Sequence, residues 1–313
     1  MTLPKGSRSV SAIAWSSDAR YIAAADMSDD HNIHVFDTQT LDKKNKATKI
    51  ATQKSDRNKI FMIEWKPDTH EFVSVGVKHY CHWTLNGNTL KYKKGALSSI
   101  KTAPGKSMGF SSVAYSAKSQ AFLAGGSDGT VYFWKGTSIS GKEKAHKKMV
   151  SSVNACPKPD GDEYVMTGSS ENQAKVWLNK GGQKLECKWT LSMDGAPRSM
   201  DYICDKEFHR FLVGTSYGSI VELKAKVAQP KQIDEEILIK SHSDGETWGL
   251  TMIKEDGVFL YLTAGDDNKL LLHDLNKRLV IGEGVVRPQA DIKGLKPKPK
   301  RGGASTQSRA HVH

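Results

Sequence analysis

The stretch Ala121–Trp134, AFLAGGSDGTVYFW, reads as two short strands joined by a tight turn. Ala121–Gly125 is an apolar run closing on small residues, and Thr130–Trp134 is rich in β-branched and aromatic residues. Between them lies Ser127-Asp128-Gly129. Asp-Gly between two such runs is a strong hairpin signal, because Gly tolerates the positive φ that a tight hairpin turn requires. A single hairpin fits any β protein, so the fold depends on whether the pattern recurs.

It recurs on both sides. Toward the N-terminus, Ser9–Trp15, Tyr21–Ala25, Asn32–Asp37 and a weak Thr48–Thr52 form one group, and Ile60–Trp65, Phe72–Gly76, His79–Leu85 and Leu90–Tyr92 form the next. The hairpin itself is preceded by Ser111–Tyr115 and followed by a Lys-rich link ending at Ala145-His146. Beyond it come Ser151–Cys156, Tyr164–Gly168, Ala174–Leu178 and Cys187–Leu191. A fifth group has Arg198–Ile203, Phe211–Gly214, Ser219–Leu223 and Glu236–Ile239. A sixth has Thr247–Met252, Phe259–Ala264, Lys269–Asp274 and Arg278–Ile281.

Third strands align on Phe36, Trp83, Trp134, Trp177, Leu223 and His273, which are 47, 51, 43, 46 and 50 residues apart. WD-type propeller blades repeat every ~40–45 residues and kelch blades every ~50. Immunoglobulin-like arrays repeat at ~100, and an α/β fold needs helical periodicity that is not evident here. The expected fold is therefore all-β: a WD40-type β-propeller of six recognisable blades over residues 1–284, either closed at six or open and completed by a partner. Radial packing buries both faces of each sheet and leaves short outer edges, so Val131, Phe133, Val176, Leu212 and Leu271 are expected in the core. The turns are degenerate: Glu171-Asn172, Tyr217-Gly218 and Asp267-Asn268 stand where the hairpin has Asp128-Gly129, and Lys135 follows Trp134.

The 313 residues carry 46 Lys/Arg and 34 Asp/Glu, a net charge of +12. That balance speaks to partners: nucleic acid, an anionic membrane or an acidic protein. Residues 285–313 hold Arg287, Lys293, Lys296, Lys298, Lys300, Arg301 and Arg309 against Asp291, half of the excess charge in under a tenth of the length. Lys-Pro-Lys-Pro-Lys-Arg cannot build a core, so this basic Pro/Gly-rich tail is expected to be disordered alone. A second basic run, residues 43–59, contains Lys43, Lys44, Lys46, Lys49, Lys54, Arg57 and Lys59. Lys91, Lys93, Lys94 and Lys142, Lys144, Lys147, Lys148 occupy equivalent links of later groups. In a propeller these clusters share the outer rim. Solvated linkers and a basic edge for an acidic partner are both open readings. Nucleic acid is disfavoured, since the clusters lack interleaved aromatics and no recognition motif is present.

No catalytic constellation stands out. Gly-x-Gly-x-x-Gly and Walker-A patterns are absent, and no nucleophile elbow occurs. No catalytic residue, metal site or cofactor is expected, and the chain is read as a non-enzyme. Cys81, Cys156, Cys187 and Cys204 form no Cys-x-x-Cys pair, as in reduced thiols of an intracellular protein. No secretory h-region opens the chain and no run approaches the ~20 apolar residues of a membrane span, so no membrane partner is expected. His31 and His34 near Asp29 and Asp30 invite a metal reading, but strand alternation sets His34 apart from the Asp loop. His146 and His242 precede first strands, where a hydrogen-bonded structural role is favoured because buried polar groups need partners.

Three local features are more specific. Val75-Gly76-Val77-Lys78-His79-Tyr80 through Trp83-Thr84-Leu85 is followed by Gly87, Leu90 and Lys93-Lys94-Gly95. Ser241-His242-Ser243-Asp244 leads into Trp248-Gly249-Leu250. Ala25-Asp26-Met27-Ser28-Asp29-Asp30-His31 precedes Ile33-His34-Val35-Phe36-Asp37. At these residues the chain resembles the echinoderm microtubule-associated protein-like (EMAP/EML) family, over about Ser9 to Gly284, corresponding to most of that family's first propeller without its opening blade. Family members bind microtubules through two tandem propellers, usually behind a trimerising coiled coil and a short hydrophobic motif, none of which is evident here beyond the one propeller. The resemblance implies a non-catalytic microtubule-associated protein of the cytoplasm and cytoskeleton. Its partners would be tubulin and other microtubule-associated or axonemal proteins, as in a ciliary or flagellar axoneme. The expected contact residues are Lys43, Lys44, Lys46, Lys91, Lys93, Lys94, Lys296, Lys298, Lys300 and Arg301. The alternative is a general WD-repeat scaffold assembling a complex in cytoplasm or nucleus.

Overall fold

The structure, a computed structural model, describes residues 9–41, 45–100, 107–158, 160–182, 184–204, 207–227, 232–242, 247–255, 258–274, 277 and 279–285. They form six four-stranded antiparallel sheets, each paired in chain order. Blade 1 is β1 (Val10–Trp15), β2 (Tyr21–Asp26), β3 (Ile33–Leu41) and β4 (Ala47–Gln53). Blade 2 is β5 (Ile60–Trp65), β6 (Glu71–Gly76), β7 (His79–Asn86) and β8 (Thr89–Lys94). Blade 3 is β9 (Phe110–Ser116), β10 (Ala121–Gly126), β11 (Thr130–Lys135) and β12 (Ser138–Lys144). Blade 4 is β13 (Val150–Pro157), β14 (Glu163–Ser169), β15 (Gln173–Asn179) and β16 (Glu186–Ser192). Blade 5 is β17 (Pro197–Cys204), β18 (Phe208–Thr215), β19 (Ile220–Lys226) and β20 (Asp234–Ile239). Blade 6 is β21 (Thr247–Glu255), β22 (Val258–Gly265), β23 (Lys269–Asp274) and β24 (Leu279–Val285). The Lys-rich link after the hairpin is thus a strand, β12. Its sequence SISGKEK conceals this because an outermost strand is largely solvated and lacks the apolar alternation of a covered one.

Every first strand carries an irregularity after its first residue, as at Val10/Ala12, Ile60/Met62 and Val150/Ser152. A bulge repeated at one position sets a common register for the blades. From it, the fourth and sixth residues of each first strand turn toward the preceding blade and the third and fifth toward the following one. Ile63 and Trp65 accordingly join the cluster containing Ala12, Tyr21, Ala23 and Val35 of blade 1, while Met62 and Glu64 reach blade 3, Met62 Sδ accepting from the Val113 amide and Glu64 from the Tyr115 amide. The strands β1, β5, β9, β13 and β17 pack side by side in that order at the centre. Burial of one aliphatic side chain at such a seam contributes about 1.5–3 kcal/mol. Val131, Phe133, Val176 and Leu271 lie in the core as expected, but Leu212 does not: it is 38% exposed on the face turned toward blade 6.

In the hairpin, Asp128 caps the turn, its carboxylate accepting from the Thr130 amide and hydroxyl at 3.0 Å and from the Tyr132 hydroxyl at 2.9 Å. Gly129 has φ +85°, and its carbonyl accepts from the amides of Ala145 and His146. A Cβ there would come 2.2 Å from the His146 carbonyl oxygen. The small residue therefore fastens the hairpin to the segment leading into blade 4.

The landmark aromatic positions divide the blades into two kinds. In blade 2, Trp83 Nε1 donates to Ser74 Oγ at 2.8 Å, and Ser74 contacts His79 Nε2 at 2.7 Å. In blade 4, Trp177 Nε1 donates to Thr167 Oγ1 at 2.8 Å. His146 Nε2 lies 2.8 Å from the same oxygen, and its Nδ1 is 3.2 Å from Glu171. Blade 6 repeats the relay with His273 in place of Trp: Thr263 bridges His273 and His242, and His242 Nδ1 meets Asp267 at 2.8 Å. In blades 2 and 4 the indole can only donate, so the hydroxyl receives that proton, passes its own to the imidazole Nε2, and leaves Nδ1–H for a carboxylate. The structural role expected for His146 and His242 is what the geometry displays. Blades 1, 3 and 5 have Ala24, Ala124 and Val213 at the hydroxyl position and Phe36, Trp134 and Leu223 opposite the strand start. Among the described residues Trp134 Nε1 finds no acceptor, and its ring instead stacks on Tyr80 of blade 2 with centroids 4.0 Å apart.

His34 is buried between Asp26 (3.0 Å) and Thr52 (3.0 Å). Among the described residues no group of three or more His, Cys, Asp or Glu side chains is arranged to hold a metal ion, and no helix is long and apolar enough to cross a membrane. All four cysteines are free.

Three outcomes follow from this packing. Trp65 is 4% exposed and Trp15, its positional equivalent in blade 1, is 55% exposed. Trp65→Ala should therefore cost about 3–5 kcal/mol in urea unfolding and Trp15→Ala less than about 1 kcal/mol. Gly129→Ala should lose at least the ~1–3 kcal/mol of a strained backbone position in the same assay. Burial pushes His79 down from 6.5 to about 4. The unfolded chain then binds a proton that the folded chain refuses, so this contribution is complete above pH 6.5 and is lost as pH falls from 6.5 toward 4. The unfolding free energy of His79→Gln should show a shallower acid limb over that interval.

Candidate functional site

Because the first strands pack at the centre, the fourth strands form the outer rim. β4 and β8 adjoin there. Lys46 leads into β4, and Lys91, Lys93 and Lys94 lie on β8. Lys43 and Lys44 fall outside the described residues, as do Lys296, Lys298, Lys300 and Arg301. The sequence grouping of Lys91, Lys93 and Lys94 is divided by the strand's alternation. Leu90 is buried on the side facing blade 1. Lys94 shares that side, opposite Cys81, whereas Lys91 and Lys93 project from the other, opposite Thr84 and His82.

The two sides differ electrostatically. Lys94 Nζ lies 3.2 Å from Asp56 Oδ2 in the segment joining blades 1 and 2. The Asp56 carboxylate raises the Lys94 pKa. Asp56 itself is held below the usual carboxylate range: burial opposes the shift, and the hydrogen bonds from Lys94 and the Asn58 amide outweigh it. Lys94 therefore works as a latch between blades. An exposed pair of this kind is worth at most ~1 kcal/mol, but it occupies the charge. Lys91 and Lys93 are exposed, and no ion pair engages either among the described residues. Further along the rim, Lys54 pairs with Asp30 at 2.8 Å and Lys144 Nζ donates to the Asp128 carbonyl. Exposed Lys142 sits on β12.

The rim is thus a set of partly committed cations on edge strands. It offers charge and hydrogen-bond donors. A hollow of about 300 Å³ lined by Ser17, Asp18, Asp68, Thr69 and His70 lies at the first turns of blades 1 and 2, away from the lysines. Sequence reasoning missed the separation of Lys94 from its neighbours. The signal was available in the alternation of Leu90, Tyr92 and Lys94, but its meaning depended on Asp56 meeting Lys94 across a seam.

A family model described as WD domain, G-beta repeat, matches residues 1–37 and 97–135. The ciliary WD repeat-containing protein ctxp80 of Euplotoides octocarinatus is 29% identical over 307 residues, covering 97% of this chain and 38% of that protein. Echinoderm microtubule-associated protein-like 1 of Mus musculus is 25% identical over 296 residues, covering 93% of this chain and 33% of that protein. The chain therefore spans about a third of the length of these curated relatives. Among solved structures, the β-propeller domain of Cps50 (Swd1) from Myceliophteria thermophila superposes with a TM-score of 0.56 at 10% identity, covering 82% of this chain and 80% of that one. The chain is thus a six-bladed β-propeller that carries matches to the WD domain, G-beta repeat, at residues 1–37 and 97–135 and is similar over nearly its whole length to a ciliary WD repeat-containing protein and to EMAP-like 1.

Proposed function

We propose that this chain is a non-catalytic microtubule-associated protein that binds the acidic surface of tubulin through its basic rim and cationic tail, as a structural component of ciliary or axonemal microtubules. The observation that carries the reading is the exposed pair Lys91 and Lys93, which project from the side of β8 away from blade 1 and which no ion pair engages among the described residues. Support comes from the net charge of +12 and from homology to a ciliary WD-repeat protein and to EMAP-like 1. Lys43, Lys44, Lys296, Lys298, Lys300 and Arg301 enter the proposal as sequence positions that add to the same field. Lys94 is assigned a smaller share because Asp56 already holds it. A cationic edge accelerates encounter with an acidic partner and orients it, an effect that fades with ionic strength. On this reading the propeller supplies rigid placement of charge, and partners among microtubule-associated or axonemal proteins meet its remaining surface.

Co-sedimentation with stabilised microtubules tests this. The full chain should pellet at low salt and be released at high salt. Lys91→Glu with Lys93→Glu should weaken binding by roughly tenfold, about 1.4 kcal/mol, while Lys94→Glu should weaken it less. Failure to pellet at low salt, by the full chain or by a chain ending at Gly284, would falsify direct tubulin binding.

A further inference from the structure

The seam between blades 5 and 6 is built differently from the others. Blade 4 turns Tyr164, Val176, Leu178 and Trp189 toward blade 5, where they pack on Phe211 and Val213. The register places Arg210, Glu222, Lys224 and Glu236 at the same positions of blade 5. These four form a ladder of ion pairs: Arg210 to Glu222 at 2.9 Å, Lys224 to Glu222 at 2.9 Å and Lys224 to Glu236 at 2.7 Å. A wall of paired charges gains little from apolar contact and loses solvation when covered. Blade 6 nevertheless turns an apolar surface to it, Leu250 and Met252 on β21, at the positions where β5 has Ile63 and Trp65.

The two walls stand apart at the centre. Outer strands β20 and β24 adjoin, and a hollow of about 280 Å³ lies between them. Among the described residues the inner strands β17 and β21 make no contact comparable to the other inner-strand seams. Leu250 is 71% and Met252 62% exposed, and across from them Ile203 is 64% exposed on β17, beside Leu212. Ile63 at the matching seam of blade 2 is 1% exposed. Exposed Asp201 lies between Ile203 and Leu212 on this face, as the partner of Leu212 across the β17–β18 pair.

From this we propose that the wedge between blades 5 and 6 is a docking slot for an extended partner segment that alternates aliphatic and cationic side chains. The aliphatic side fills the space against Leu250 and Met252, and the cationic side meets Asp201. Two-residue alternation is what a strand presents to two sheets at once, and charge complementarity at Asp201 selects a basic occupant over an acidic one. The slot is distinct from the lysine rim, so it stands independently of tubulin binding.

The full chain and a fluorescein-labelled short peptide of alternating leucine and lysine, followed by fluorescence anisotropy, test this directly. The peptide should bind saturably, and its leucine–glutamate counterpart should not. Leu250→Glu, Met252→Glu and Asp201→Lys should each weaken binding at least tenfold with thermal midpoints unchanged, while Ile13→Glu on the exposed face of blade 1 should leave it intact. The proposal fails if binding is not saturable, if the leucine–glutamate peptide binds equally, or if Ile13→Glu weakens binding as much as Leu250→Glu. It also fails if the chain is a dimer that Leu250→Glu dissociates, since a second copy then fills the wedge.

Discussion

Burial of each blade's face against the inner strand of the next is the contact on which the structure rests. A four-stranded sheet with apolar residues on both faces is not stable alone in water, and the seams from blade 1 through blade 5 solve this by giving the facing surfaces a neighbour. The solution depends on register. The recurring bulge sets which residues of β5 face blade 1 and which face blade 3, so Ile63 and Trp65 go one way and Met62 and Glu64 the other. A slip by one residue would exchange the two sets. Glu64 shows how far this placement can go: burial raises its carboxyl to about 7, a cost the seam carries because the position lies at the junction with β9.

The hydroxyl–imidazole relays and the apolar blades answer the same structural need in alternate ways. Blades 2, 4 and 6 tie the third strand to the second through Ser74, Thr167 and Thr263, and in blades 4 and 6 the relay also reaches the segment entering the blade. Each bond is worth about 1 kcal/mol net, but together they orient that segment. Blades 1, 3 and 5 replace the relay with apolar contact, and in blade 3 the stacking of Trp134 on Tyr80 ties blade to blade. The unpartnered Trp134 Nε1 is the consequence of Ala124 standing where a hydroxyl would accept.

Function falls to the surfaces that the seams leave over. In blades 2 to 4 the inner strands are taken up by packing, and lysines stand on the fourth strands. Lysines there also discourage edge-to-edge pairing with other chains, and under the proposed function the same rim would attract an acidic partner. What distinguishes Lys91 and Lys93 from Lys94 is commitment: Asp56 holds one and leaves the others to solvent. At blade 5 the seam chemistry itself changes, and the result is an opening between sheets.

Much of this was legible in the residues. The Asp128-Gly129 hairpin, its degenerate copies and the spacing of Phe36, Trp83, Trp134, Trp177, Leu223 and His273 were sufficient for six all-β blades, because strand alternation and turn chemistry are local properties. The basic segments were equally plain, since charge can be counted along a chain. The expectation for β12 failed because an outermost strand carries little apolar pattern to read. Leu212 looked like core because its own strand is apolar, yet its burial depended on blade 6 covering a face that Arg210, Glu222 and Lys224 make charged. The division of Lys94 from Lys91 and Lys93 likewise required Asp56, 38 residues away, to arrive at the same seam. Sequence determined which elements form, because that is decided by neighbours along the chain. Tertiary structure decided which faces are covered and which charges are spent, because both depend on groups that only packing brings within a few ångströms.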